Sequence, residues 1–466
     1  MVSSNANALG IIFPNSYDNL VPELAGLRLM ASIPFAGRYR IIDFILSSMV
    51  NCGIDNVSMV VRENYHSLMD HLGSGREWDL TRKNGGLNII PPYSERNIKV
   101  YNGRVEALAS ILSFLKRQKE KYVVMSDANI AVNFDFNALL EAHIESGADV
   151  TIAYTEDEIP QGLMQSNDIR DQYYTFTIED GRIKKIYMNS KAPGVQNLSM
   201  NIYVLNREQF VDQINRAYVR GYTHFERDVL APQLKKYNIR AFKYEGYRAR
   251  ICDMKSYFDE NMRLLEDENL EALFGGNQIY TKIRDDNPTR YINGSKANNV
   301  LVADGCVIEG EVENSILFRG VKVGKGAKVK NCILMQDTEV SENADMEYVI
   351  TDKNVRIGGG LLDQENLAVS CSVGPCFSMG VEENIDVVAF YAAADVLRHI
   401  FGPVNEKTAS NGNDPGIHSH RMVGGSHLSG AGMSSPAFRA AVARAIGSGL
   451  KHSKGDQVFP RAGGVV

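Results

Sequence analysis

Asp127 closes a short apolar run, Tyr122 to Met125 followed by Ser126, that reads as a buried strand. In an open parallel sheet, ligands bind beyond the carboxyl ends of the strands. Asp127 is therefore a candidate site carboxylate. An anionic small-molecule substrate there would need local cations, since 50 Lys and Arg against 56 Asp and Glu leave a net charge of -6. That balance excludes the basic footprint of a nucleic-acid binder, and it makes individual Lys and Arg positions decisive. Six cysteines, Cys52, Cys252, Cys306, Cys332, Cys371 and Cys376, are scattered through the chain. Only Cys371 and Cys376 are close, and no second pair has zinc-site spacing, so they read as reduced thiols. His418, His420 and Arg421 fall in a run rich in Gly, Ser, Asn and His, Gly402 to Gly432, which reads as loose polar chain.

The elements that position Asp127 follow from periodicity. Ala8 to Phe13 predicts a first buried strand and Arg40 to Met49 a helix stopped at Gly53. Asn56 to Val61 is the next strand, Val105 to Leu115 a helix, Phe136 to His143 a helix and Asp149 to Tyr154 a strand. This alternation predicts a mostly parallel sheet with helices on both faces. Tyr173 to Ile178 and Arg182 to Tyr187 flank Glu179-Asp180-Gly181, a hairpin signal.

From about residue 293 the pattern changes. Asn314-Ser315-Ile316-Leu317 recurs as Asn331-Cys332-Ile333-Leu334 and as Glu347-Tyr348-Val349-Ile350, at offsets of 17 and 16 residues, with Val323, Val340 and Val355 in step. A period near 18 from three short sides fits a left-handed parallel β-helix. A hexapeptide-repeat acyltransferase would need a histidine near the coils, and there is none between His224 and His399.

The predicted organisation is a Rossmann-like α/β domain over residues 1–270, a linker at 271–292, the β-helix at 293–360 and an extension at 361–466 of unassigned role, partly loose. A chain of 466 residues with 44% hydrophobic and 23% charged residues fits two or three soluble domains. Met1 to Leu9 lacks a basic start and an apolar core. The apolar stretch Val387 to Phe401 is broken by Asp395, Arg398 and His399. A cytoplasmic location is expected. Ile385 to Phe401 and Pro436 to Leu450 read as two helices.

The segment Pro34-Phe35-Ala36-Gly37-Arg38-Tyr39-Arg40-Ile41-Ile42-Asp43-Phe44, followed by Leu46-Ser47 and Asn51-Cys52-Gly53-Ile54, resembles the ADP-glucose pyrophosphorylase (glucose-1-phosphate adenylyltransferase) family, which reads PFGGKYRIIDFxLSN and NSGI. His71-Leu72-Gly73 before Trp78, Ser199 to Tyr203 and Phe225-Glu226-Arg227-Asp228 also match, and the resemblance covers residues 5–358. It implies a nucleotidyltransferase fold, and a reaction in which glucose 1-phosphate attacks the α-phosphorus of ATP to give ADP-glucose and pyrophosphate. Such chemistry is run by positioning and by cations aimed at the phosphates.

The departures fall on ligand-facing positions. The family's GGxGxRL loop, whose glycines admit the triphosphate to backbone N–H groups, is Asn15 to Val21 here. Its arginine position is Leu20, and Asp18 adds negative charge. RAKP becomes Arg28-Leu29-Met30-Ala31, so its lysine is Met30. FxEKP becomes Ile186 to Ser190, with Asn189 at the lysine position and Lys191 nearby as a substitute. GDHIY matches Ser126-Asp127-Ala128-Asn129, so one metal aspartate survives as Asp127. The second, from YWRDVGT, is Arg250, a cation where Mg²⁺ would bind. A three-residue shift would make it Asp253. GTADA becomes Gly103-Arg104-Val105-Glu106-Ala107.

With scaffold retained and site lost, the chain resembles the GlgD-type subunit. By that resemblance it is a regulatory or structural partner of a catalytic subunit of the same fold, in a heterotetramer making ADP-glucose for glycogen synthesis. ATP and Mg²⁺ would be used by the catalytic partner, with none assigned to this chain. Arg38 and Arg40 are candidate contacts for a phosphorylated effector. The alternatives are a self-sufficient nucleotidyltransferase using Asp127, Asp253 and Lys191, and a non-enzymatic sugar-phosphate or nucleotide sensor.

Overall fold

The computed structural model describes residues 7–26, 28–83, 85–92, 101, 103–166, 172–358 and 389–390. Nine strands form one sheet among these residues: β1 (Ala8–Phe13), β2 (Asn56–Val60), β3 (Gly86–Ile90), β4 (Tyr122–Asp127), β5 (Val150–Glu158), β6 (Tyr174–Glu179), β7 (Arg182–Met188), β8 (Val195–Asn206) and β9 (Ile239–Lys243). Their order is β3-β2-β1-β4-β8-β5-β9-β7-β6. The first four are parallel. β1 is buried at all six positions, as a strand covered on both faces must be. Beyond β4 the sheet is mixed, because β8 runs antiparallel to both β4 and β5. β6 and β7 form the expected hairpin, turning at Asp180 (φ 51°) and Gly181 (φ 71°).

The predicted helix at 40–49 is α1 (Ile41–Asn51), started by the Asp43 carboxylate accepting the Arg40 N–H at 2.9 Å. The predicted helix at 105–115 is instead two, α2 (Arg104–Ser110) and α3 (Leu112–Arg117), broken where Ile111 leaves helical geometry. α4 (Phe136–Glu145) is capped by Asp135, which accepts N–H bonds from Asn137 and Ala138.

From Arg290–Tyr291, inside the predicted linker at 271–292 and just before the predicted start at 293, the chain coils into stacked parallel strands. Residues with positive φ mark its corners: Asn299, Asn314, Asn331 and Tyr348 at one, Gly305, Gly320, Asp337 and Asn354 at another. Asn and Gly tolerate this region best, so corner chemistry sets the register. The last coil is thereby corrected: Ile350 pairs with Ile333, an offset of 17, and Ile357 rather than Val355 lies against Val340.

The β-helix packs on the sheet domain through one shared core. Ile316, Phe318, Ile333, Met335 and Ile350 join Phe35, Phe44 and Tyr257. Burying each such side chain contributes roughly 1.5–3 kcal/mol. Phe258 meets Tyr348 with ring centroids 6.2 Å apart. Within the predicted helix at 385–401, Ala389–Phe390 is a short strand antiparallel to Val349–Ile350. The rest of that stretch, Cys371, Cys376, His418, His420, Arg421 and the predicted helix at 436–450 lie outside the described residues. Cys52, Cys252, Cys306 and Cys332 are free and buried. No helix among the described residues is long and apolar enough to cross a membrane.

Candidate functional site

Asp127 ends β4 directly beside Phe13, the last residue of β1, as the parallel register requires. Its side chain is buried and fully engaged. Ser16 Oγ donates to it at 2.8 Å, Asn201 Nδ2 at 2.8 Å, and Arg104 Nη2 approaches both carboxylate oxygens at 2.8 and 2.9 Å. Asn201 reaches it because the β8–β5 register shifts between Ser199 and Ile202, placing Asn201 at φ 55°. The same amide donates to Tyr17 Oη at 2.6 Å.

Arg104 occupies the first turn of α2. The preceding Gly103 lies so close to Thr223 that an added Cβ would sit 2.5 Å from its carbonyl oxygen, so only glycine fits. The Val105 N–H donates to that carbonyl at 3.1 Å and fixes the helix start. The other nitrogen, Nη1, pairs with Glu226, which also accepts from Tyr203 Oη at 2.7 Å. The guanidinium carbon lies 5.2 Å from the Phe13 ring centroid and 5.6 Å from that of Tyr203. Burial works against its charge, but Asp127 and Glu226 together hold Arg104 protonated. Burial, with Asp127 next in effect, pushes the Tyr17 hydroxyl far up.

The loop at 15–21 is closed by side chains. Asp18 accepts the Met30 N–H at 2.6 Å and the Asn15 amide at 2.8 Å, and Asn15 Oδ1 accepts the Arg62 N–H at 2.8 Å. The carboxylate expected to repel phosphates thus serves the loop's own fold. Leu20 and Met30, at the former arginine and lysine positions, are buried in the apolar cluster shared with the β-helix. Asn189, at φ 52°, ties β7 to the start of β6. Its Oδ1 accepts the Tyr173 N–H at 3.1 Å, and its Nδ2 donates to Gln172 at 2.5 Å. Lys191 is exposed. Asp253 caps the helix Met254–Met262, accepting the Ser256 N–H at 2.6 Å.

Arg250 lies in a two-residue strand paired with Ile130–Ala131, and its Nη2 is buried with no hydrogen-bond partner. The cation on Asp127 is therefore Arg104, from the altered segment Gly103 to Ala107, while Arg250 stands at the second metal position. The sequence flagged the altered segment Gly103 to Ala107, yet nothing local in it named Asp127 as the partner. Mg²⁺ does not fit this donor set. Asp127 and Glu226 are both engaged by a guanidinium, and among the described residues no three His, Cys, Asp or Glu side chains group as metal ligands. What remains is a cavity of about 100 Å³ between Phe13, Tyr17, Arg62, Tyr101 and His224.

Arg38 and Arg40 turn to different partners. Arg38 is half exposed, 3.9 Å from Asp304 of the β-helix. Arg40 donates through Nη1 to Ser67 O at 2.7 Å and Ser67 Oγ at 3.0 Å, and burial pulls it down to about 10. Lys353 of the β-helix is pulled down to about 7, by burial first and then by Arg40 and Arg28.

Comparison with known proteins agrees with this architecture. The nucleotidyl transferase family model matches residues 29–267, and the model of a GlmU-like C-terminal hexapeptide matches 284–364. The chain is 36% identical over 356 residues to the glycogen biosynthesis protein GlgD of Bacillus subtilis, covering 76% of this chain and 92% of that protein. It is 36% identical over 331 residues to GlgD of Geobacillus stearothermophilus, covering 70% and 83%. To the glucose-1-phosphate adenylyltransferase of Bacillus mycoides it is 31% identical over 340 residues, covering 71% and 88%. With a sheet whose strand ends carry this pocket and a β-helix packed behind it, the chain belongs to the nucleotidyl transferase family, among the GlgD and glucose-1-phosphate adenylyltransferase proteins.

Proposed function

We propose that this chain is the regulatory or structural subunit of a glucose-1-phosphate adenylyltransferase in glycogen synthesis, pairing with a catalytic subunit of the same fold in a heterotetramer. The observation that carries the reading is the Arg104 guanidinium on Asp127. A site that must gather several phosphate charges needs positive groups and N–H donors free to meet them. Here one such cation is spent on the site's own carboxylates, Leu20 and Met30 are packed into the core, and the loop at 15–21 is bound to itself. Losing one electrostatic contributor costs on the order of a hundredfold or more in rate, and several are gone together.

The regulatory part of the reading is supported by the seam between the domains, where Arg28, Arg40 and Lys353 act electrostatically on one another. Since Arg28 is held by Asp352, Arg40 and Lys353 are the groups there for a phosphorylated effector. Arg38, which faces Asp304 at 3.9 Å, is less suited to that role than Arg40. The self-sufficient enzyme is disfavoured by Asp253 serving as a helix cap and by the exposure of Lys191. A sensor role retains one supporting observation, the unpartnered His224 Nε2 at the cavity wall.

The test is to purify the chain alone and with a catalytic glucose-1-phosphate adenylyltransferase subunit, then measure pyrophosphate release and the mass of the mixture. The expected result is background activity alone, a mixed oligomer, and higher activity on mixing. Robust Mg²⁺-dependent turnover by the lone chain, or no enhancement on mixing, overturns the reading.

A further inference from the structure

We propose that Arg104 is a built-in cation taking the place of an exchangeable divalent ion, and that its removal uncovers a divalent-cation site on Asp127 and Glu226. The inference concerns the same pocket as the proposed subunit role but does not depend on any partner.

Two buried carboxylates so close that one guanidinium bridges them form a strongly negative locus, and such a locus is stable only when compensated. In this chain the compensation is covalently tethered. Arg104 meets both Asp127 oxygens at 2.8 and 2.9 Å and pairs with Glu226 through its other nitrogen. Every feature around it holds it in place. Gly103 locks the helix start against Thr223, the Phe13 and Tyr203 rings flank the guanidinium, and Ser16 and Asn201 complete the Asp127 shell. A hard divalent ion draws on carboxylate, hydroxyl and amide oxygens. Two carboxylates and the Ser16 hydroxyl are gathered here, and the guanidinium occupies the space between the acids.

The experiment titrates the full chain with Mn²⁺, following bound ion by electron paramagnetic resonance and stability by thermal melting. The wild-type chain is expected to bind no Mn²⁺ at this locus, with an unchanged Tm. Arg104→Gln is expected to melt below wild type without metal, to bind one Mn²⁺, and to regain several degrees of Tm as Mn²⁺ is added. Adding Asp127→Asn to that variant is expected to abolish both effects. Arg104→Lys keeps a charge and is expected to remain Mn²⁺-insensitive. A merely structural arginine would give a destabilised Arg104→Gln that no metal restores, and that result overturns the proposal. If Arg104→Gln does not fold, refolding it in Mn²⁺ decides: recovery of a folded chain holding one Mn²⁺ upholds the proposal, and no recovery overturns it. Neither result bears on activation of a catalytic partner.

Discussion

The guanidinium of Arg28 and the carboxylate of Asp352 meet at two points, 2.8 and 2.6 Å apart, across the seam between the sheet domain and the β-helix. Both side chains are more than nine-tenths buried. Breaking such a pair from one side leaves an uncompensated charge and costs about 3–5 kcal/mol, whereas replacing both partners with apolar groups is often neutral. Arg28→Met alone should lower the urea midpoint strongly, and Arg28→Met with Asp352→Leu should recover most of it. Equal losses in single and double variants would contradict this account.

Lys353 lies beside that pair, and its ammonium is pulled from 10.5 to about 7 by burial and by Arg40 and Arg28. Between those values the unfolded chain holds a proton that the folded chain lacks, so stability rises with pH from about 7 toward 10.5, and the full penalty applies below 7. Lys353→Met should raise Tm most near pH 7 and below, with the gain fading as pH approaches 10. Melting curves from pH 6 to 10 check this, and a pH-independent offset would refute it.

His143 is buried against Thr151, with Nδ1 and Oγ1 2.8 Å apart, and burial pulls it to about 4. The unfolded chain gains a proton near pH 6.5 and the folded chain only near 4, so this site loses stability as pH falls through that window. His143→Gln should flatten the acid limb of the stability profile between pH 6.5 and 4. An unchanged limb would remove His143 from the acid response.

Asn201 holds positive φ and donates to both Asp127 and Tyr17. Asn201→Ala loses these two bonds and the one Oδ1 accepts from Tyr203, about 1.5–3 kcal/mol for the charged partner and about 0.5–1.5 kcal/mol for each neutral one, and adds roughly 1–2 kcal/mol for the left-handed backbone. Asn201→Gly loses only the bonds. Alanine should therefore be the more damaging substitution by chemical denaturation, and the reverse order would show that backbone conformation does not matter there.

Arg250→Asp restores a carboxylate at the second metal position but leaves Arg104 on Asp127 and the loop at 15–21 closed. Pyrophosphate release from ATP and glucose 1-phosphate should stay at background. Appreciable turnover would locate the lesion at Arg250 alone.

Local chemistry made much of this molecule readable in sequence. Apolar runs marked β1, β2, β4 and β5, the Glu179-Asp180-Gly181 turn marked the β6–β7 hairpin, and the segments recurring at 314–317, 331–334 and 347–350 marked the β-helix. Strand β8 was not readable, because Gln196, Asn197, Ser199 and Asn201 interrupt its apolar pattern and its bulge spoils the alternation. The surviving Asp127 and the altered positions Leu20, Met30, Asn189 and Arg250 were visible through the motifs around them. Which cation lies on Asp127 was decided only by the tertiary structure. Arg104 lies 23 positions from Asp127 and 122 from Glu226, and Asn201 lies 74 from Asp127. Those separations are closed by sheet register, by a bulge, and by a helix start wedged against Thr223. A charge can be read from a residue's name, but its partner depends on where the fold brings two distant backbones together.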